Sequence, residues 1–308
     1  MDRGQRQAGL LIVGLLALCG AADRREIPIR ESRWLRSPNI IADLSTQPPE
    51  CLSWPRDREH RQSVAIGRAL FRSPLLLGGQ AARAGLSCAS CHRNGRTNPH
   101  FHFPGISGAP GTADVTASLM SEQRGDGIFN PKPIPDLAGD PRQLRVKGTP
   151  QLRGFIRGLI VEEFAGPEPS PAALDSVTAY VRALSPSACT GGAVRITLGA
   201  MLADVDSAVA LAAATYADGD PQTGRALLAA ARSTLGSIDQ RYQVPGLEHA
   251  RRQLSDADAE LRQLQETGGV GRWDRWRRAW PDRKRALRGA EPRSLFNRQV
   301  LRRLLAGS

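Results

Sequence analysis

Gly85-Leu86-Ser87-Cys88-Ala89-Ser90-Cys91-His92 is the stretch whose reading decides what kind of chain this is. Two cysteines three positions apart fit on a single turn of helix, and a histidine follows the second directly. Three chemistries use such a spacing. A structural zinc site needs four ligands, and no second closely spaced cysteine pair is present to complete one. A dithiol redox motif belongs in a βαβ setting, of which the flanking sequence shows no sign. The third is covalent haem attachment, in which both thiols add across the haem vinyl groups as thioethers. The adjacent imidazole then reaches the iron from the proximal side. The cofactor expected is one haem c, attached through Cys88 and Cys91, with His92 as the proximal iron ligand.

Outward from this motif the pattern is helical and loop-rich. A helix is predicted over His60 to Phe71, with Val64, Ala65, Leu70 and Phe71 as its apolar stripe, ending at Pro74 and Gly78-Gly79. A Gly- and Pro-rich stretch from Asn94 to Gly148 carries no periodicity, and long loops of this kind are usually functional. A short helix is expected around Pro150 to Ile160. A clearer one spans Ala172 to Leu184, with Ser170 as its N-cap and Pro171 in its first turn. Residues 23–58 are rich in Pro and Arg and read as an arm wrapped over the surface.

Beyond Cys189 the texture changes. Leu198, Met201, Leu202, Val205 and Val209 mark one helix, and Asp220 with Pro221 starts the next, which carries Leu228, Ala231, Leu235 and Ile238. Leu247, Ala250, Leu254, Ala257, Leu261 and Leu264 recur at alternating steps of three and four, a heptad seam too short to stand alone. The fold class expected is therefore all-α. A cytochrome c-like haem domain over 59–190, with long Gly/Pro-rich loops, is followed by a separately folded C-terminal helical bundle over 195–305.

Three segments carry a family likeness. Ala65-Ile66-Gly67-Arg68-Ala69-Leu70-Phe71, followed by Gly85 to His92, resembles the bacterial di-haem cytochrome c peroxidase family, which includes the MauG-like proteins. Gly148-Thr149-Pro150-Gln151-Leu152-Arg153-Gly154 is similar to that family's TPxLR segment, and Leu174 to Leu184 to the closing helix of a cytochrome c fold. The resemblance covers roughly residues 58 to 188. It implies a haem domain of that family's kind. The family carries two Cys-x-x-Cys-His motifs and this chain one, so the second haem, the usual electron entry to a peroxidase site, is absent.

For the distal iron ligand the candidates are Met120, His100 and His102, with Phe101 and Phe103 interleaved; a five-coordinate iron is the remaining case. Arg96 is a candidate partner for a haem propionate. Glu162 and Glu163 are candidate acid-base groups or a helix-end pair. Arg124-Gly125-Asp126 matches an adhesion tripeptide and reads here as a turn. Trp273, Trp276 and Trp280 fall on one helical face, as bundle core or as a docking face.

Arg3 and Arg6, the apolar run Leu10 to Leu18 and the small residues Gly20-Ala21-Ala22 read as a signal peptide over residues 1–22. The alternatives are an uncleaved anchor and lipidation at Cys19, to which Leu18 is a poor fit. No later segment reads as apolar enough to span a membrane. The compartment expected is the periplasm or another exported one, where the two remaining cysteines, Cys51 and Cys189, are expected to form a disulfide. The formal net charge is +12, and Arg251 to Arg303 holds 15 Arg and Lys against 7 Asp and Glu. Such a surface suits an acidic redox partner protein or an anionic membrane surface. Nucleic acid is not an expected partner, for want of a binding motif. Two functions compete: periplasmic electron transfer by a monohaem c-type cytochrome cycling between Fe(II) and Fe(III), and a cytochrome c peroxidase-like haem enzyme reducing hydrogen peroxide.

Overall fold

The computed structural model describes residues 27–117, 119–120, 125–139, 146, 148–267 and 269–306. The signal-peptide reading, Cys19 and Arg124 lie outside the described residues. The described chain is mostly helical, in agreement with an all-α class.

The N-terminal segment is more than a surface arm. A 3-10 turn at Arg30–Trp34 leads into α1 (Ile40–Ser45), which Asn39 caps by accepting the Ala42 N–H. Strand β1 (Thr46–Gln47) follows. Ile29, Trp34 and Leu44 are buried. Their spacing matches neither helix nor strand, because separate short elements and the backbone before them each deliver one residue to the core, and periodicity is blind to that.

Helix α2 (Arg58–Phe71) starts where Asp57 accepts the His60 N–H, and it buries Val64, Ile66, Leu70 and Phe71. The chain does not stop at Pro74. It makes two short helices, α3 (Pro74–Leu77) and α4 (Gly79–Ala84), before the single turn α5 (Cys88–Cys91). The Gly/Pro-rich stretch then forms only two-residue strands among the described residues. Strand β2 (His92–Arg93) pairs with β3 (Arg96–Thr97), and β4 (Thr112–Ala113) with β5 (Lys132–Pro133). Helix α6 (Thr149–Gly158) runs on into a π-helical turn at Leu159–Glu163. Helix α7 (Pro171–Ala183) is capped by Ser170, which accepts the Ala173 N–H at 3.0 Å.

Helices α2 and α7 cross at Gly67. A Cβ at that position would overlap the Ser176 carbonyl and lie 2.9 Å from Tyr180 Cβ, so only glycine lets the two backbones touch. Gly67→Ala, though favourable to helix propensity, is expected to cost about 2 kcal/mol by overpacking. A chemical-denaturation midpoint equal to that of the parent chain would refute the close crossing.

Strand β6 (Val194–Arg195) pairs antiparallel with β1. Four long helices follow: α8 (Leu198–Ala217), α9 (Pro221–Arg241), α10 (Glu248–Thr267) and α11 (Val270–Ala290), each packed on the one before it. Asp220 caps α9 by accepting the Thr223 N–H at 3.0 Å. The whole heptad seam from Leu247 to Leu264 is buried. Helix α12 (Arg298–Ala306) closes the chain, and its Leu301 joins Ile29, Leu44 and Leu295 in a small second core.

The helices after residue 195 pack directly on the segments before it. One continuous buried cluster runs from Trp34, Leu70 and Tyr180 through Leu202, Leu228, Leu254 and Trp280. Ion pairs also cross the presumed boundary, with Arg68 Nη1 2.6 Å and Arg72 Nη1 3.0 Å from Asp204 on α8. Glu50 completes that network, accepting from Arg68 and from the Tyr180 hydroxyl at 2.8 Å. Although burial pushes its carboxyl up, Arg72 and Arg68 hold it below the ordinary carboxylate range.

One smaller expectation changes, and one open pair of alternatives is decided in favour of the core. Helix α8 is long and apolar enough to cross a membrane by length and composition. Its Leu198, Leu202, Val205, Ala208 and Ala212 are buried against its neighbours, so its apolar character has an explanation in the core. The tryptophan stripe on α11 faces inward. Trp276 and Trp280 are buried and stacked with ring centres 4.8 Å apart, Trp273 meets Tyr216 edge-on, and the Trp280 indole N–H donates to Asp206.

Candidate functional site

The motif turn α5 is built locally. Ser87 and Ser90 form a capping box, with the Ser87 N–H donating to Ser90 Oγ at 3.0 Å. One turn of helix puts the Cys88 and Cys91 thiols on the same side, and neither is in a disulfide. After His92 the chain reverses through Asn94-Gly95, both at positive φ (51° and 75°). That is the conformation a two-residue hairpin loop demands, and Asn-Gly is the dipeptide that adopts it most readily. The hairpin sets His92 opposite Thr97 and Arg93 opposite Arg96.

Thr97 and Arg96, returned beside the motif, take hold of residues 134–137. Thr97 Oγ1 donates to the Ile134 carbonyl at 3.0 Å, Arg96 Nε meets both Asp136 oxygens at 2.8 and 2.7 Å, and the Leu137 N–H donates to the Gly95 carbonyl. The Pro135 carbonyl is thereby held 3.0 Å from His92 Nδ1. A carbonyl only accepts, so Nδ1 carries the proton and Nε2 keeps the lone pair. Among the described residues nothing hydrogen-bonds Nε2. The imidazole also lies 6.4 Å from Phe71, which in turn packs at 5.1 Å on Tyr180, so the α2–α7 crossing forms one wall of the site.

Cys88, Cys91 and His92 keep some surface open to solvent, yet they are surrounded closely enough that desolvation dominates their acidity. Burial pushes both thiols up to about 12. Burial likewise pushes the His92 imidazole down to about 4, against the opposing pull of the Pro135 carbonyl and the Asp136 charge. At neutral pH the site therefore presents two neutral thiols and a neutral imidazole.

These states separate the three chemistries. A dithiol redox centre works through a thiolate, which burial here disfavours. Among the described residues no group of three or more His, Cys, Asp or Glu could hold a metal ion unaided, so zinc lacks its four ligands. A covalently held haem fits the donors present. It needs reduced, unpaired thiols on one face, a neutral imidazole with Nε2 free, and an outer-shell acceptor on Nδ1–H of the kind that metal-bound histidines almost always have.

The remaining candidates are placed unevenly. Met120 is buried in the same core as the motif. His102 is buried, and its backbone N–H donates to the Trp34 carbonyl at 2.9 Å. The His100 ring is turned to the N-terminal segment, with Nδ1 2.7 Å from Asp43 Oδ2. Arg96 is engaged by Asp136 at its Nε. Glu162 lies 3.8 Å from Arg157, and Glu163 is buried in the π-helical turn. Asp126 accepts the Ile128 N–H at 2.8 Å, a local turn. Cys51 and Cys189 are joined in a disulfide, with Cα atoms 4.2 Å apart. The residues that periodicity missed are Asn94-Gly95, Thr97, Pro135 and Asp136. The Asn-Gly dipeptide directly after the motif was the available signal.

Comparison with protein-family models, with curated proteins and with solved structures finds no match to this chain.

Proposed function

We propose that the chain is a monohaem c-type cytochrome of an exported, periplasmic compartment, with a cytochrome c-like domain over 59–190 and a helical bundle after it. The observation that carries this reading is the His92 Nδ1–Pro135 carbonyl bond beside two neutral, unpaired thiols. Haem, when bound, supplies a one-electron Fe(II)/Fe(III) couple. The residues of the chain do the rest. Cys88 and Cys91 anchor it through thioethers, and His92 presents Nε2 while Pro135 fixes its tautomer. Phe71, with Tyr180 behind it, shields that side from water. Arg275, Arg278, Arg288, Arg302 and Arg303 are exposed and suit an acidic redox partner or an anionic membrane surface, with the buried tryptophans taking no part. The likeness to the di-haem cytochrome c peroxidase family belongs to this proposal too.

The second reading is a peroxidase-like enzyme reducing hydrogen peroxide, which holds if none of Met120, His100 and His102 fills the distal position. Asp43 holds His100 Nδ1 and leaves its Nε2 available, as the Pro135 carbonyl does for His92. The optical spectrum of the ferric protein decides between the two. We expect a low-spin spectrum in the parent chain, and conversion to high spin in one of Met120→Ala, His100→Ala and His102→Ala. A high-spin parent spectrum rejects electron carriage in favour of the open-site enzyme.

A further inference from the structure

We propose that Arg96 and Asp136, braced by the Cys51–Cys189 disulfide, are positioning residues that set the hydrogen bond between the Pro135 carbonyl and His92, and through it the redox poise of the iron. The proposal rests on the haem reading above.

Four segments distant in sequence meet at one guanidinium. Arg96 Nε lies 2.8 and 2.7 Å from the two Asp136 oxygens, while its Nη1 lies 3.2 Å from Cys51 Sγ and 3.4 Å from Cys189 Sγ. Disulfide sulfur is a weak acceptor, but Cys51 is fully buried and covalently bridged, so the bridge acts as a stop for the arginine. Asp136 is therefore held from both sides: by Arg96, and by the Ala138 N–H that donates to its Oδ1 at 3.0 Å.

The Pro135 carbonyl lies in the same rigid peptide plane as the Asp136 N–H and Cα. Any tilt of Asp136 swings that oxygen toward or away from His92 Nδ1. The Leu137 N–H on the Gly95 carbonyl and Thr97 on the Ile134 carbonyl fix the segment on either side, so Asp136 controls the last freedom of the plane. Stability alone is a poor reason for this arrangement. Both side chains of the pair are 29% exposed, and ion pairs open to that extent contribute little. A disulfide, in turn, needs no arginine against it.

A stronger Nδ1–H···O bond makes the imidazole a better donor and favours ferric iron, and outer-shell changes of this kind commonly shift affinity ten- to a hundredfold. Loosening the clamp is expected to move the ferric/ferrous equilibrium about tenfold toward ferrous, which corresponds to about 59 mV for one electron.

The test uses full-length protein purified from an oxidising compartment, with two readouts: reduction potential against a mediator, and the 15N shifts of the His92 ring. Asp136→Asn and Arg96→Gln are each expected to raise the potential and to weaken the Nδ1–H tautomer signature. Arg96→Lys should restore part of both, and the double variant Cys51→Ser/Cys189→Ser should shift them in the same direction. Arg153→Gln, which breaks an exposed ion pair with Asp175, is the control and should leave both unchanged. Unchanged potential and unchanged ring signals in folded Asp136→Asn and Arg96→Gln overturn the proposal. If those two variants fail to fold, Arg96→Lys decides: parental values for both readouts overturn it, and an intermediate shift sustains it. A parent chain without haem refutes the haem reading, while the ring shifts still test whether Asp136 and Arg96 position His92.

Discussion

Protein in which Cys88 and Cys91 are both replaced by Ser is expected to carry no covalently bound haem, whereas the parent chain is expected to hold one haem that survives denaturation and stays with the polypeptide on a gel. The expectation follows from the state of the motif. Both thiols are unpaired and neutral, pushed up to about 12 by burial, and they share one side of α5. Thioether formation consumes the S–H of each, so serine at both positions removes both covalent anchors. His92→Ala tests the other half of the site. It keeps the anchors and removes the imidazole that the Pro135 carbonyl holds in place, so haem should remain attached while its absorption and redox behaviour collapse. A parent chain that loses its colour under denaturing conditions, or that carries two haems, refutes the assignment.

Much of the helical framework was legible without coordinates. The caps of α7 and α9 could be read from Ser170-Pro171 and Asp220-Pro221, because each pairs a hydrogen-bond acceptor with a residue that needs no N–H. The seam from Leu247 to Leu264 was legible because a buried helix face must repeat every three or four residues. Other features had no periodic trace. Ile29, Trp34 and Leu44 enter the core one at a time from elements too short to show a period, and the tryptophans of α11 suited a core or a docking face until packing buried two of them. Gly67 marks a helix crossing that depends on a partner more than a hundred residues away. At the site, the motif named its own three residues. The acceptor that orients His92 comes from residue 135, and nothing local to the motif points to it except the hairpin signal in Asn94-Gly95.

The disulfide has the largest expected effect on stability. Cys51 and Cys189 are 138 positions apart, so their bond closes a loop that contains the motif, the hairpin, the α2–α7 crossing and the Pro135 segment. In the chain-entropy account a loop of that length stabilises the folded state by about 4–5 kcal/mol, and native strain takes part of it away. The bond also joins two stretches that already pair, since the Ser53 N–H donates to the Ala183 carbonyl and the Ser185 N–H to the Cys51 carbonyl, both at 2.8 Å. Those backbone contacts outlast the bond, so the Cys51→Ser/Cys189→Ser chain should fold and then melt earlier. For a chain of this size a loss of that order lowers the melting temperature by roughly 10 °C. Reductant should reproduce the shift in the parent chain and do nothing further to the double variant. Thiol counting on unfolded, non-reduced parent protein gives an independent check, with Cys51 and Cys189 both unreactive. Parent and double-variant chains that melt together, or two reactive thiols at these positions, would show that the bond does not form in the protein.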